Sequence, residues 1–539
     1  MNKPLTYSNP ILPGFYPDPS VCRVEDDFYL VTSTFAYFPG VPIFHSRDLI
    51  HWEQIGNILD RDSQLPLKGV DISQGIFAPT LRFHDGTFYM ITTNVSCALG
   101  NFIVTTKDPT GPWSDPYPLG AEGIDPSLFF DDDGRCYYCG TKPRREGARY
   151  FGDNEIYIQE LDLETMSLTG DSYAAWHGAL RQVEWPEGPH IYKKDGWYYL
   201  LISEAGTSHH HAVSIARSRS LSEPFEGYRG NPILTHRHLG NDYPIVNVGH
   251  PDIVETKNGE WWMVLLASRP YGGYCRNLGR ETFLVPFRWE DGWPVVNPGK
   301  GVVEHTVKAP ALPLSFTPEV PAREDFNGSA LPPHMMFVRN PIPDNYSLSR
   351  KKGFFSLRCG EDLISSTGNP SYVCIRQQHF SFRFETSFEF EPAETNEQAG
   401  IVIFQSDSFN YQCLIGKDKS GNAGTNDSTY IVTVLRTKEG ATEIISESTF
   451  YKTLPFVKLR LEAAGQDLSF SLCADGSAFT TIADQLDGRI LCTDAAGGFV
   501  GNTMGIYATA NGRESAVFAA FDYMEYIGED NPGSYAPNS

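Results

Sequence analysis

The feature that most constrains the fold of this chain is a fivefold repeat in the N-terminal half of its 539 residues. Each copy has a proline at its second position, a short apolar run, a polar turn containing Asp or Asn, and an aromatic-rich segment. The copies are DPSVCRVEDDFYLVTS from Asp18, APTLRFHDGTFYMITT from Ala78, DPSLFFDDDGRCYYCG from Asp125, GPHIYKKDGWYYLLIS from Gly188 and HPDIVETKNGEWWMVLLAS from His250. Each copy predicts a β-hairpin, and strand-like pieces lie between the copies. Repeats of about four short strands are typical of propeller blades, so the pattern predicts a five-bladed β-propeller.

A second domain follows a proline-rich stretch, VKAPALPLSFTPEVPAREDF, which predicts a linker. Beyond it, segments such as FRFETSFEFEP, AGIVIFQSD and TYIVTVLRT alternate between apolar and polar residues. This period of two predicts antiparallel strands of a jelly-roll-like β-sandwich. The predicted fold class is therefore all-β, with a propeller over residues 1–305, a linker over 306–325 and a sandwich over 326–539.

Charge and cysteine usage restrict the partners and the compartment. The net charge is −23, from 43 Lys and Arg against 66 Asp and Glu, which disfavours nucleic acid and anionic membranes. No apolar run is long enough to span a bilayer, and the start, MNKPLTYSNPIL, lacks the apolar core of a signal peptide. The ten cysteines show no disulfide spacing, so we expect reduced thiols and a cytoplasmic location. A metal or redox role for the Cys136–Cys139 pair is disfavoured, because alternation places the two on opposite faces of a strand.

The first position of each repeat predicts a functional site. The first strand of a propeller blade lies closest to the axis, so these positions meet at one end of the central channel. They include Asp18, Asp125, Gly188 with Glu187 just before it, and His250, whereas Ala78 shows that the fold does not demand a charge there. Unpaired charges are costly to bury, so their convergence favours function over structure. Because Pro19 follows Asp18, we expect an extended backbone that aims this carboxylate.

Three carboxylates around one pocket suit the hydrolysis of a glycosidic bond. One carboxylate must be ionised to activate water or to attack the sugar, and another must hold a proton for the leaving oxygen. A third negative charge nearby raises the pKa of the acid by like-charge repulsion. Their titrations would be coupled.

The motifs YPDPS, GIDPSLF, WPEGPHIYK, GHPDIVE and LGRETF together resemble glycoside hydrolase family 43. The resemblance extends over nearly the whole chain and is greatest to the β-xylosidase and α-L-arabinofuranosidase members with a C-terminal β-sandwich. It implies an inverting mechanism in which Asp18 is the general base and Glu187 is the general acid. Asp125 would orient the acid and raise its pKa. Glu184 is the rival acid, although the EGPH motif favours Glu187.

The resemblance also implies roles for two further residues. His250 falls on the channel axis, where the family places a histidine near a bound water or metal, so a Ca²⁺ ion on the propeller axis stays open. No organic cofactor is implied. Arg280 is expected to clamp a sugar hydroxyl or Asp125 with its rigid fork of donors, and the alternative is a surface salt bridge.

Aromatic residues are candidates for the pocket wall. Phe35 and Phe77 could stack on the sugar or simply pack in the core. Phe77 stands where related xylosidases have Trp, and Thr80 where they have Asp, which leaves the substrate preference open. Phe499, in a glycine-flanked loop of the second domain, is expected to reach across and wall off the pocket. His209 to His211 are expected in a substrate loop rather than at a metal site.

The predicted function is an inverting exo-glycosidase that removes terminal pentoses from xylo-oligosaccharides or arabinoxylo-oligosaccharides. The sequence does not choose between β-1,4-xylosidase and α-L-arabinofuranosidase activity. The alternative is a non-catalytic, carbohydrate-binding propeller with a lectin-like sandwich. A retaining enzyme that acts on fructosides is disfavoured, because its Asn-Asp-Pro, Arg-Asp-Pro and Glu-Cys motifs are absent. A homo-oligomer is plausible, but the sequence leaves the oligomeric state open.

Overall fold

A computed structural model describes residues 5–418 and 429–530. The predicted start of the propeller, residue 1, and the predicted end of the sandwich, residue 539, lie outside these ranges. Nearly all regular structure in these ranges is β-strand, and all paired strands run antiparallel. The chain forms a five-bladed β-propeller followed by a β-sandwich, as the repeat and the later alternation predict.

Residues 5–308, which the structure describes throughout, contain twenty-four strands. In chain order they are β1 (Thr6–Ser8), β2 (Ser20–Val24), β3 (Asp27–Val31), β4 (Tyr37–Phe38), β5 (Gly40–Ser46), β6 (Glu53–Leu59), β7 (Thr80–His84), β8 (Thr87–Asn94), β9 (Gly100–Thr106), β10 (Tyr117–Pro118), β11 (Ile124–Phe130), β12 (Cys136–Pro143), β13 (Asn154–Asp162), β14 (Ser167–Trp176), β15 (Glu187–Lys194), β16 (Trp197–Glu204), β17 (Ala212–Ser218), β18 (Glu226–Gly227), β19 (Leu234–Thr235), β20 (Val246–Glu255), β21 (Trp261–Ser268), β22 (Glu281–Glu290), β23 (Trp293–Val296) and β24 (Thr306–Lys308).

Each sequence repeat forms the two inner strands of one blade. The blades are β2-β3-β5-β6, β7-β8-β9-β10, β11-β12-β13-β14, β15-β16-β17-β18 with β19 beside β17, and β20-β21-β22-β23. The first strand of each blade contacts the first strands of both neighbouring blades, and β20 contacts β2. The five inner strands therefore close a ring around one axis. The DDDG stretch at Asp131 is the turn between β11 and β12, as its place in the repeat predicts.

The segment before the first blade is fastened to the last blade. The main-chain N–H of Ile11 donates to Thr282 O at 2.9 Å, and Leu284 N donates to the side chain of Asn9 at 2.9 Å. Tyr16 N donates to Arg280 O at 3.1 Å. These bonds join the first and fifth blades, and they bring the start of the first repeat next to Arg280.

A buried polar hub joins four blades on the axis. The carboxylate of Asp252 in the fifth blade accepts a hydrogen bond from Ser20 Oγ of the first blade at 2.6 Å. Arg82 of the second blade donates to the same carboxylate at 2.9 Å and to His190 Nδ1 of the fourth blade at 2.8 Å. Tyr192, also in the fourth blade, donates its hydroxyl to Asp252. Burial raises the pKa of Asp252, but Arg82 and the hydrogen bonds outweigh it and hold the pKa well below the usual value.

From residue 323 onward, the described ranges contain fifteen further strands and three short helical turns. They are β25 (Arg323–Glu324), β26 (Met336–Val338), a 3₁₀ turn (Pro343–Asn345), β27 (Tyr346–Ser347), β28 (Phe355–Arg358), β29 (Ser371–Arg376), β30 (Ser381–Glu389), β31 (Gln398–Ser406), β32 (Phe409–Lys417), β33 (Thr429–Lys438), β34 (Ala441–Tyr451), β35 (Phe456–Ala464), β36 (Asp467–Cys473), β37 (Thr480–Asp487), a 3₁₀ turn (Gly488–Leu491), the helix α1 (Thr493–Ala496), β38 (Thr503–Thr509) and β39 (Phe518–Gly528).

The sandwich consists of two eight-stranded sheets, and the propeller supplies a strand to one of them. One sheet has the order β27-β28-β39-β30-β35-β36-β37 with β25 beside β39, and the other has β34-β33-β32-β31-β38-β29-β26-β4. Strand β4 precedes the third strand of the first blade, and its Phe38 pairs with Phe337. Within the predicted linker, Thr306–Lys308 is a strand that pairs with Thr6–Ser8. The two parts of the chain are therefore joined by β-pairing.

Two further predictions concern cysteines and membranes. Cys136 and Cys139 are both buried but belong to different apolar clusters, as expected for opposite faces of β12. In the described ranges, no helix is long and apolar enough to cross a bilayer.

We expect Asp252→Asn to lower the free energy of unfolding by about 3–5 kcal/mol, because it leaves the buried Arg82 cation without its counter-ion. The matched control is Asp26→Asn, which removes an exposed pair with Lys257 at 3.0 Å and should cost at most about 1 kcal/mol. Urea unfolding followed by circular dichroism measures both. Equal midpoints for the two variants would contradict a structural role for the hub.

Candidate active site

The first positions of four repeats share an unusual backbone conformation. Asp18, Asp125, Gly188 and His250 have φ values of 55°, 53°, 57° and 49°, in the left-handed region. The strand pairing in three of these blades is interrupted at this point, between residues 124 and 127, 187 and 190, and 249 and 252. Such bulges re-aim side chains and occur next to active sites, where the surrounding structure maintains the strain.

The prediction of an extended Asp18 is therefore wrong. The preference that Pro19 imposes on its neighbour is local, whereas the Asp18 carboxylate is held by partners distant in sequence. Ser33 Oγ donates to this carboxylate, and Arg280 Nη1 donates to it at 2.7 Å. Asp is also one of the residues that tolerate the left-handed region.

Three of these positions, Asp18, Asp125 and His250, line one cavity of about 460 Å³. All eight residues predicted for the site line it, namely Asp18, Phe35, Phe77, Asp125, Glu187, His250, Arg280 and Phe499. The sequence analysis did not place Trp185, Ser268, Arg276 or Thr493 in the site, and they line the same cavity.

Arg280 pairs with Asp18, not with Asp125 as the sequence analysis allowed. Its Nη1 lies 2.7 Å from Asp18 Oδ1 and its Nη2 lies 3.4 Å from Oδ2. Arg280 is 7% exposed, so the alternative of a surface salt bridge is also wrong. Burial raises the pKa of Asp18, but Arg280, then His250 and Ser33, lower it more, and the net pKa lies below the usual value. Asp18 is the carboxylate that stays ionised.

Glu187 has the opposite electrostatic environment. Burial, followed by the carboxylates of Asp125 and Asp18, raises the pKa of Glu187 well above its usual value, and Arg280 offsets only part of this. Among the described residues, no Lys or Arg contacts its carboxyl group as Arg280 contacts Asp18. Glu187 is therefore the carboxyl group that holds its proton to a higher pH than a glutamate in water does.

The pKa of Asp125 is subject to opposing influences. Burial, and then the charge of Asp18, raise the pKa of Asp125, while His250 lowers it. Asp125 Oδ2 accepts a hydrogen bond from the main-chain N–H of Gly188 at 3.2 Å. Asp125 thereby fixes the backbone next to Glu187, and its charge raises the pKa of that glutamate.

Glu184, the rival acid, is exposed and does not line the cavity. Its main-chain carbonyl accepts a hydrogen bond from Ala205 N at 2.8 Å, which orients the segment so that Trp185 and Glu187 line the cavity instead. The motif alone favoured Glu187, and the geometry gives Glu184 no access to the site.

Three phenylalanines from separate parts of the chain form one wall of the cavity. The rings of Phe35 and Phe499 are stacked, with centroids 5.8 Å apart and an interplanar angle of 19°. Phe77 lies edge-on to both, at 5.5 Å and 5.9 Å. Phe499 comes from the sandwich, and its N–H donates to Ser73 Oγ of the propeller at 3.0 Å. The second domain therefore completes the pocket wall.

The cavity does not offer the donor set of a protein-bound cation. In the described part of the chain, no three His, Cys, Asp or Glu side chains converge as metal ligands. His250 Nδ1 lies 3.8 Å from Asp18 Oδ1, and that carboxylate is already paired with Arg280. Calcium prefers six to eight oxygen ligands, so the residues around His250 do not fit a dedicated Ca²⁺ site. No step below is routed through a cation.

Of the three consecutive histidines, only His211 lines the cavity. His209 and His210 pack against each other with ring centroids 5.3 Å apart. The segment SHHHAV indicated that a histidine lies near the pocket, but its residue pattern could not distinguish His211 from His209 and His210. Arg276 gave no sequence signal, because its partner Asp494 lies in the other domain, at 2.7 Å.

Comparison with known proteins agrees with this geometry. The family model for glycosyl hydrolases family 43 matches residues 7–294, and the model for the beta-xylosidase C-terminal concanavalin A-like domain matches residues 323–527. A xylosidase/arabinosidase of Butyrivibrio fibrisolvens is 52% identical over 96% of this chain and 98% of its own length. A non-reducing end alpha-L-arabinofuranosidase of Bacteroides ovatus is 37% identical over 97% of this chain and 94% of its own length.

Solved structures show the same architecture over the whole chain. The xylan beta-1,4-xylosidase of Bacillus halodurans superposes with a TM-score of 0.89 and 34% identity, covering 96% of this chain and 99% of that one. Together with the two family models and the three carboxyl groups at the propeller axis, these similarities identify the chain as a member of glycosyl hydrolases family 43.

Proposed function

We propose that this protein is an inverting exo-glycosidase that removes terminal pentoses from xylan-derived oligosaccharides. The observation that carries the proposal is that two carboxyl groups in one cavity have opposite surroundings, which shift their pKa values in opposite directions. Arg280 pairs with Asp18 and lowers its pKa, whereas burial and two neighbouring carboxylates raise the pKa of Glu187. This is the division of labour that glycoside hydrolysis requires.

In the proposed reaction, water attacks the anomeric carbon while the bond to the leaving oxygen breaks. Asp18 accepts the proton of the attacking water, and Glu187 donates its proton to the leaving oxygen. Asp125 positions Glu187 through its bond to Gly188 N and favours the protonated acid. At the end Asp18 is protonated and Glu187 is ionised, and exchange with solvent water restores both groups.

The closed aromatic wall supports exo-action on a small terminal sugar. Phe35, Phe77 and Phe499 provide flat apolar faces against which a pentose ring can stack. Related proteins are named for xylosidase, for arabinofuranosidase, or for both activities, so we propose β-1,4-xylosides and α-L-arabinofuranosides as the substrates. The free state of all ten cysteines, every one within the described ranges, supports a reducing compartment, and we propose the cytoplasm.

Initial rates on nitrophenyl β-D-xyloside and nitrophenyl α-L-arabinofuranoside first establish which pentose is accepted. The alternative of a non-catalytic sugar-binding protein predicts no turnover of either compound. With the accepted pentose attached to an alkyl alcohol, we expect Glu187→Ala to lower kcat by about 10²- to 10⁴-fold, because the leaving oxygen loses its proton donor. Glu184→Ala is the matched control and should keep wild-type kcat, since this side chain is exposed outside the cavity.

Inversion is tested by the anomer released first. When the β-xyloside is hydrolysed in an NMR tube, α-xylose should appear before mutarotation produces the β-anomer. Inverting enzymes leave room for water between carboxyl groups roughly 6.5–9.5 Å apart, whereas retaining enzymes form a covalent intermediate. Initial release of β-xylose would replace the proposed mechanism with a retaining one.

The acidic limb of the kcat/KM profile should report Asp18, which must be ionised to act as the base. Its pKa lies below the usual value largely because of Arg280, so the wild-type limb should fall at low pH. Arg280→Gln removes the cation, raises the pKa of Asp18, and should move the acidic limb to higher pH. An unmoved limb with a uniform loss of activity would assign Arg280 to sugar binding alone.

A further inference from the structure

His211 carries an unpartnered nitrogen at the active site that the proposed mechanism does not use. The side chain is buried, with 1% of the residue exposed, immediately before strand β17. Its Nε2 makes no hydrogen bond to any described residue and lies 4.0 Å from Oε1 of Glu187. That separation is about 1 Å longer than a hydrogen bond. The histidine therefore directly faces the proposed acid.

The protonation state of this ring follows from its other nitrogen. His211 Nδ1 lies 3.0 Å from the main-chain carbonyl of Asn247, which can only accept, so Nδ1 carries the hydrogen. Burial lowers the pKa of His211 to about 3, so the ring is neutral at the pH where the enzyme would work. A neutral imidazole with its hydrogen on Nδ1 presents a bare lone pair at Nε2.

The surrounding chain is built to hold the ring in this orientation. Asn247 has a φ of 62°, in the left-handed region, and its side-chain Oδ1 accepts a hydrogen bond from Tyr274 Oη at 2.8 Å. A Cβ atom at Gly249 would lie 2.1 Å from Cε1 of His211, so only glycine leaves space for the ring. Three features of separate residues therefore fix one imidazole against Glu187.

We propose that His211 is a positioning residue that keeps Glu187 protonated between turnovers. The lone pair at Nε2 accepts a hydrogen bond from the neutral carboxyl group after a small movement of the flexible Glu187 side chain. The same lone pair repels the carboxylate, so both effects favour the protonated acid. The proposal rests on the role of Glu187 as the acid, and it adds a second source for the raised pKa of that residue.

The other groups around Glu187 cannot favour its protonated form independently of pH. Asp125 and Asp18 raise the pKa of Glu187, but both are carboxyl groups whose own charge changes on titration, and Arg280 opposes them. His250 and Arg280 face His211 and help to keep it neutral, while Asp18 acts in the other direction. His211 is therefore the neutral acceptor whose effect on Glu187 stays constant across the working range.

The test is His211→Phe, which keeps an aromatic ring in the buried site and removes the lone pair. The matched control is His236→Phe. His236 is also buried, its Nδ1 lies 2.7 Å from Ile245 O, and its Nε2 accepts a hydrogen bond from Val303 N at 2.9 Å, outside the cavity. For both variants and the wild type, kcat is measured against pH on an alkyl pentoside, which needs the acid, and on a dinitrophenyl pentoside, which does not.

In His211→Phe we expect the alkaline limb of the kcat profile on the alkyl substrate to move to lower pH by about one unit, because the pKa of Glu187 falls. Above neutral pH this corresponds to a loss of about tenfold on the alkyl pentoside and little loss on the dinitrophenyl pentoside. His236→Phe should keep the wild-type limb. Equal losses on both substrates with an unmoved limb would reduce His211 to a packing residue and overturn the proposal.

A second measurement does not depend on the folding of His211→Phe. In wild-type enzyme with ¹⁵N-labelled histidines, His211 should show the neutral Nδ1–H tautomer from pH 5 to 8. A protonated ring or an Nε2–H tautomer would overturn the proposal. Glu187→Gln separates this inference from the proposed function. Full activity of that variant on the alkyl pentoside would refute the role of Glu187 as the acid. If Glu187→Gln is inactive but the alkaline limb of His211→Phe lies at the wild-type pH, only the role proposed for His211 is refuted.

Discussion

The buried carboxylate of Asp252 is the interaction on which the propeller depends. It receives hydrogen bonds from Ser20, Arg82 and Tyr192, which belong to three other blades. A charge at this depth is costly without partners, so the inner strands are held in one register by the need to satisfy it. Asp18 and His250, the first positions of two repeats, lie two residues before Ser20 and Asp252 of this hub and line the cavity. The polar axis therefore fixes where the site can form.

The site uses that fixed ring to give similar residues different chemistry. Asp18 and Glu187 are both carboxyl groups at the start of an inner strand, yet only Asp18 has a guanidinium partner. Arg280 reaches Asp18 because the segment before the first blade is hydrogen-bonded along the fifth. Glu187 faces other carboxyl groups and a bare imidazole nitrogen instead. Opposite shifts of the two pKa values thus follow from neighbours that the ring closure supplies.

Local signals predicted the repeat, the sandwich and the first positions of the repeats, whereas Arg280 and the roles of the carboxyl groups were predicted from the resemblance to a family. Blade hairpins show alternation with a polar turn, and the first position of a repeat is marked by the proline that follows it. The backbone of Asp18 was predicted wrongly, since a local proline preference was outweighed by distant hydrogen bonds. The partner of Arg280 and the contribution of Trp185 and Thr493 left no local pattern, because those contacts join separate blades or domains.

The sequence by itself determined an all-β chain, five blades and three carboxyl groups that meet at one end of an axis. These follow from periodicity and repetition, which short segments encode on their own. Only the tertiary structure decided which carboxyl group Arg280 pairs with and so lowers in pKa, and only it brought Trp185, Arg276 and Thr493 to the cavity wall. The physical reason is that pKa values and pocket walls depend on atoms within a few ångströms in space, whatever their separation along the chain.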